Sequence, residues 1–164
     1  MRTPLSQSLK TANVCATLFC MMIALTLPVA SPCQASAQTC SVKIISPSPG
    51  GNVRRDALVR GTAKIPANGY LWLLAHKRGF KQWWPQGGGE ADINGGEWEV
   101  LVIFGKAKEI GAFEIAAVVV DSQTNEDLKR WVADAPSRDY PSIDFPNSLA
   151  GCSIEKITVD KIGD

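Results

Sequence analysis

One histidine, His76, is present in 164 residues, and aromatic side chains make up only 7% of the chain. A lone imidazole leaves acid and base steps without a second histidine, and no G-x-S-x-G elbow or phosphate-binding glycine loop ahead of a helix is present. Charge of one sign is lacking too, for 17 basic residues face 16 acidic ones. That balance argues against an unassisted nucleic-acid binder, and the apolar share of 45% argues against a disordered chain. No cysteine, histidine or acidic cluster has the spacing of a transition-metal site. The stretch Asp92-Ile93-Asn94-Gly95-Gly96-Glu97 lacks the alternating oxygen ligands of a calcium loop and fits a hairpin turn better. Neither a metal nor a cofactor is therefore expected.

What is present begins with an address. Arg2 and Lys10 precede an apolar run over residues 14–27, and Ala35-Ser36-Ala37 supplies the small residues that a signal peptidase needs. The run is broken by Thr17, Thr26 and Pro28, too short for the roughly 20 apolar residues of a membrane span. Residues 1–37 are read as a cleaved signal peptide and 38–164 as one domain, periplasmic or secreted, with no membrane insertion after cleavage. Taking Arg2 and Lys10 from the 17 basic residues leaves 15 against 16 acidic ones. Cleavage also removes Cys15, Cys20 and Cys33. The two survivors, Cys40 and Cys152, form an even pair in an oxidising compartment and are expected to be disulfide-bonded.

Beyond Cys40, short alternating segments between turn residues dominate. Strands are expected over 41–45, 57–63, 70–77, 97–104, 113–120 and 153–159, with Gly61 marking a bulge or a close backbone approach. Asn94-Gly95-Gly96 predicts a tight hairpin that pairs residues 90–93 with the strand beginning at Glu97. One helix is expected over about 125–134, capped by Thr124 or Asn125, with Glu126 and Asp127 in its first turn. Residues 135–151, with Pro136, Pro141 and Pro146, should lie as an extended loop over the body. About seven short strands without alternating helices point to an all-β antiparallel two-sheet sandwich; a small open β-barrel is the alternative.

The runs SPSPGGNV, VRGTA, YLWLLAH, WWPQ, INGGEWEV and FGKAKEIGAFEIAAVVVD resemble the Ig-like modules of bacterial exported and modular proteins. The resemblance covers about residues 42–121. It implies an Ig-like fold and is silent on activity, since such modules serve as spacers, binders and inhibitors alike.

The most distinctive surface candidate is HKRGFKQWWPQ, residues 76–86. Lys77, Arg78 and Lys81 stand among Phe80, Trp83 and Trp84. Adjacent tryptophans in an extended chain point to opposite faces, so a sandwich core is expected to take one and leave the other outside. An outward indole beside cations suits a sugar ring or an anionic partner surface. His76 is read as a partly exposed strand-end residue. The leading expectation is a non-catalytic module binding a protein or a cell-envelope glycan through this segment. A structural spacer or subunit of an envelope assembly is the alternative, and a small secreted hydrolase, drawing on Glu97, Glu99 or Glu114, is the third.

Overall fold

The computed structural model describes residues 39–163. The expected signal peptide, 1–37, and its cleavage point lie outside the described residues. Among the described residues nine strands form: β1 (Ser41–Ser46), β2 (Asn52–Val53), β3 (Asp56–Lys64), β4 (Tyr70–Lys77), β5 (Trp84–Pro85), β6 (Ile93–Asn94), β7 (Glu97–Ile103), β8 (Gly111–Val120) and β9 (Glu155–Lys161). They divide into a four-stranded sheet, β1-β3-β7-β6, and a five-stranded sheet, β2-β9-β8-β4-β5. Both sheets stay open, so the chain is a sandwich and not a barrel. This strand order is that of immunoglobulin domains, with the first strand split so that β1 serves one sheet and β2 the other. Among these nine strands every pairing is antiparallel except that of β2 with β9, which is parallel, as is the isolated bridge between Cys40 and Cys152.

Alternation decides which side chains enter the core. In β7, Trp98, Val100 and Val102 are buried while Glu97, Glu99, Leu101 and Ile103 face outward. Trp98 sits opposite Gly61 of β3, where a Cβ atom would collide with the Trp98 ring and the Lys43 carbonyl. Gly61 is thus a close approach; the bulge lies across from it in β1, between Ile44 and Ser46. Only Ile93 and Asn94 pair with β7, less than the expected 90–93, because Ala91 N–H donates to the Leu71 carbonyl of β4 in the other sheet at 2.7 Å, while the turn at Gly95 (φ 59°) and Gly96 (φ 88°) closes the hairpin as expected.

β4 and β8 are buried on both faces, for two different reasons. One face, with Leu71, Leu73, Ile115, Ala117 and Val119, packs against the other sheet. The opposite face, with Trp72, Leu74, Ala116, Val118 and Val120, is covered by a second layer built from the connection between β8 and β9. That connection holds α1 (Ser122–Asp134), a 3-10 turn (Ala135–Arg138) and the proline-rich loop. Leu128 of α1 fills this layer, and the Trp72 indole N–H donates to Asn125 Oδ1 at 2.8 Å.

The helix therefore starts a turn earlier than its composition predicts. Asp121, the first residue after β8, is the N-cap, and its carboxylate accepts the Thr124 backbone N–H at 2.8 Å. Asn125 does not cap because its side chain is committed to Trp72. Glu126 and Asp127 fall beyond the first turn, where the helix dipole favours them less. The Thr124 N–H holds the Asp121 carboxyl below the usual carboxylate range. A carboxyl depressed in the folded state contributes stability that is fully present above the unfolded pKa and is lost as pH falls through the lower folded one. Asp121→Ala should lower the melting temperature by a few degrees at neutral pH, followed by circular dichroism. That difference should close as the pH drops below about 4; a difference undiminished in acid would remove the charged cap from the account.

Cys40 and Cys152 are disulfide-bonded, with Cα atoms 4.9 Å apart and a separation of 112 positions in sequence. The bridge joins the start of β1 in one sheet to the approach to β9 in the other. β3 and β8, which would carry the inter-sheet bridge of an antibody domain, contain no cysteine. Among the described residues, no helix is long and apolar enough to cross a membrane.

Candidate functional site

Residues 76–86 connect β4 to β5 and leave the five-stranded sheet at its edge. The turn closes through Phe80 N–H donating to the Lys77 carbonyl at 3.2 Å, while Arg78 N–H donates to the Ala112 carbonyl at 3.0 Å. This fixes the root of the loop against β8. Its tip is solvent-facing: Arg78, Phe80 and Lys81 are exposed. Lys77, half-buried, lies 3.5 Å from Glu109.

The two tryptophans depart from expectation, since neither enters the core between the sheets. Trp83 is 4% exposed but belongs to the outer layer. Its backbone exchanges two hydrogen bonds with Ile143, at 2.8 and 2.9 Å, so the proline-rich loop lies across it. Its ring stacks on His76 at 3.7 Å between centroids and meets Phe145 edge-on at 5.0 Å. Lys156 of β9 places its ammonium 5.0 Å from the Trp83 ring and 4.4 Å from that of Phe145. Trp84 is half-buried, and its indole N–H donates to the Tyr140 carbonyl at 2.9 Å. Pairing of both indoles with the same distant loop left no local periodic signal.

His76 is buried, at 6% exposure, and not partly exposed, because Trp83 covers its ring face. Its Nε2 is 2.6 Å from Glu114 Oε2 on β8, and Nδ1 is buried without a hydrogen-bond partner. Gln86 is structural: its amide group donates to the Trp84 carbonyl at 3.0 Å and accepts from Ile103 N–H of the opposite sheet at 2.8 Å. The carboxylates weighed for hydrolysis are separated. Glu114 is on the five-stranded sheet, whereas Glu97 and Glu99 lie on the outer face of the other, where Glu99 pairs with Arg60. Among the described residues, no group of three His, Cys, Asp or Glu side chains is placed to hold a metal ion.

Loops distant in sequence meet the tip at the same end of the sandwich. Lys161 Nζ donates to the Lys106 carbonyl at 2.7 Å, and Phe104 N–H to the Arg55 carbonyl at 2.8 Å. The 104–110 loop is thereby held beside both the β2–β3 turn and the end of β9. It brings exposed Lys106 and Lys108 alongside exposed Arg54 and Arg55. These cations were not picked out with residues 76–86, for only the register of β3, β7 and β8 gathers them. Glu109 tempers the field. The Lys106 backbone N–H, aided by Lys77, holds its carboxyl below the usual range against the opposing effect of burial.

Two surface grooves, of about 540 and 520 Å³, lie elsewhere: one along α1 beside Trp131, the other across the outer face of the four-stranded sheet beside Arg60 and Glu99.

No protein-family model and no curated protein matches the chain. Among solved structures, murine CRIg aligns over 74% of this chain and 95% of its own, with 6% identity and a TM-score of 0.30.

Proposed function

We propose that the chain is an exported, non-catalytic binding module that meets an anionic partner surface through the exposed tip of residues 76–86. The observation that carries this reading is the placement of Arg78, Phe80 and Lys81, all exposed on a loop whose root is pinned to β8. A rigid root lowers the ordering cost of binding, and cations around one exposed ring favour a negatively charged face. Stacking on a sugar is disfavoured, since Trp83 is covered and the Trp84 indole is engaged with Tyr140. An anionic glycan or protein face remains compatible with the cations. The bridge between Cys40 and Cys152 accords with folding in an oxidising compartment, which supports a periplasmic or secreted site.

In this reading His76 is structural: the imidazole is stacked beneath Trp83 at 3.7 Å between centroids, and its Nε2 lies 2.6 Å from Glu114 Oε2.

A photo-cross-linking residue at position 80, compared with one at position 58 on the outer face of the opposite sheet, tests the reading in intact cells. Adducts or envelope retention specific to position 80 are expected. Equal labelling from both positions would instead describe a spacer whose surfaces are all bystanders.

A further inference from the structure

Three chain segments carry exposed apolar side chains to the end of the sandwich that holds the tip. Phe80 on the β4–β5 connection is 54% exposed, Ile110 on the β7–β8 connection 62%, and Ile162 just beyond β9 64%. Hydrogen bonds hold their supports together. Arg78 N–H is bonded to the Ala112 carbonyl, Lys161 Nζ to the Lys106 and Ala107 carbonyls, and Ile162 N–H to the Val53 carbonyl. The loops at this end also carry Arg54, Arg55, Arg78, Lys81, Lys106 and Lys108, all exposed. Acids at this end include Asp56, Asp160, Glu109 and exposed Asp144, which the Trp83–Ile143 bridge sets across from Gln82; Glu109 is already engaged by Lys77 and the Lys106 N–H. Basic residues thus prevail locally in a chain whose overall charge is close to balanced.

We infer that this end docks on an anionic phospholipid surface, with Phe80, Ile110 and Ile162 entering the headgroup layer and the surrounding cations pairing with lipid phosphates. The inference rests on the binding reading above and names its partner. A protein interface concentrates apolar side chains in a central patch with a polar rim. Here the apolar side chains come from two places, Phe80 on its loop and Ile110 with Ile162 one step beyond the Gly111–Lys161 pair of β8 and β9, on loops that also carry cations, an arrangement that suits a fluid interface closing around each. Docking of this kind lies on the surface and spans nothing.

The test is partition of the exported, oxidised protein onto phosphatidylcholine vesicles with and without phosphatidylglycerol, read by co-sedimentation across a salt series. Binding should require phosphatidylglycerol and weaken with salt. Each charge removed should cost about fivefold at low salt, so Lys106→Gln with Lys108→Gln should cost roughly 25-fold. Phe80→Ser and Ile110→Ser should weaken binding at every salt concentration, because their contribution is not screened. All four sites are exposed, and unchanged melting temperatures would exclude unfolding as the cause. Absence of preference for phosphatidylglycerol overturns the lipid inference. If position 80 then still gives a discrete protein adduct in cells, the tip reading stands with a protein as partner; if neither vesicles nor adducts respond to Arg78→Glu and Lys81→Glu, both readings fall. Loss on changing Arg78 and Lys81 but not Lys106 and Lys108 would confine binding to the tip and overturn the three-loop surface.

Discussion

Cys40→Ser with Cys152→Ser should lower the unfolding free energy by on the order of 4 to 5 kcal/mol, the upper range for a single bridge. The cause lies mainly in the unfolded chain. The cysteines are 112 residues apart, so the oxidised unfolded state is a closed loop containing nearly the whole domain, and opening it releases chain entropy. Urea unfolding with and without reductant checks this. The midpoint should fall, and the slope should rise, because an unbridged chain expands further and exposes more surface. The folded state adds a smaller effect: β1 is the edge of its sheet, hydrogen-bonded only to β3, and the bridge anchors its first turn of chain to the approach to β9. Reduction that left the midpoint unchanged would mean that the bridge constrains neither state. Enthalpic strain or residual denatured structure can reduce the gain, so the slope is the more discriminating readout.

How much of this architecture was legible depends on the range over which each signal acts. β7 could be read from its own residues, since Glu97 through Ile103 alternate strictly and one face must be buried. β4 matched its expected span of 70–77 for a similar reason. The continuous apolar half of β8 announced burial on both faces, but what covered the outer face was not written locally. α1 shows the limit: Thr124, Asn125, Glu126 and Asp127 look like a helix start by composition, yet the abrupt end of β8 makes Asp121 the cap and frees Asn125 to reach Trp72. The last strand likewise shifted from 153–159 to Glu155–Lys161, where its register with β8 runs through Gly111 and Lys161. The pairing of Cys40 with Cys152 was readable because the expected cleavage after residue 37 would leave two cysteines, which permit one intramolecular bridge. The candidate site was half legible. The tip is a local cluster, whereas Lys106, Lys108, Arg54 and Arg55 reach it only through strand register. The fate of the tryptophans was hidden because period-two reasoning assigns opposite faces but is blind to a loop arriving from residues 140–145.

That loop makes Trp83 and Trp84 unequal in a measurable way. Trp83→Ala should cost about 3 to 5 kcal/mol, the range for deleting a large buried aromatic side chain. The ring is enclosed by His76, Phe145 and the Ile143 crossing, and its removal leaves a hole that the hydrogen-bonded backbone at Ile143 cannot readily collapse into. It also uncovers His76, whose Nδ1 has no hydrogen-bond partner in the folded chain, so water entering there would recover part of the loss. Trp84→Ala removes a half-exposed ring and one hydrogen bond to the Tyr140 carbonyl, worth about 1 to 2 kcal/mol together with partial burial. Equilibrium unfolding of the two single variants gives the comparison. Amide exchange at Ile143 adds location, because its N–H bonds to the Trp83 carbonyl and should lose protection in Trp83→Ala well before β4 and β8 do. Equal costs for the two substitutions would mean that the loop shields both rings alike, and the outer layer would then have no anchor at Trp83.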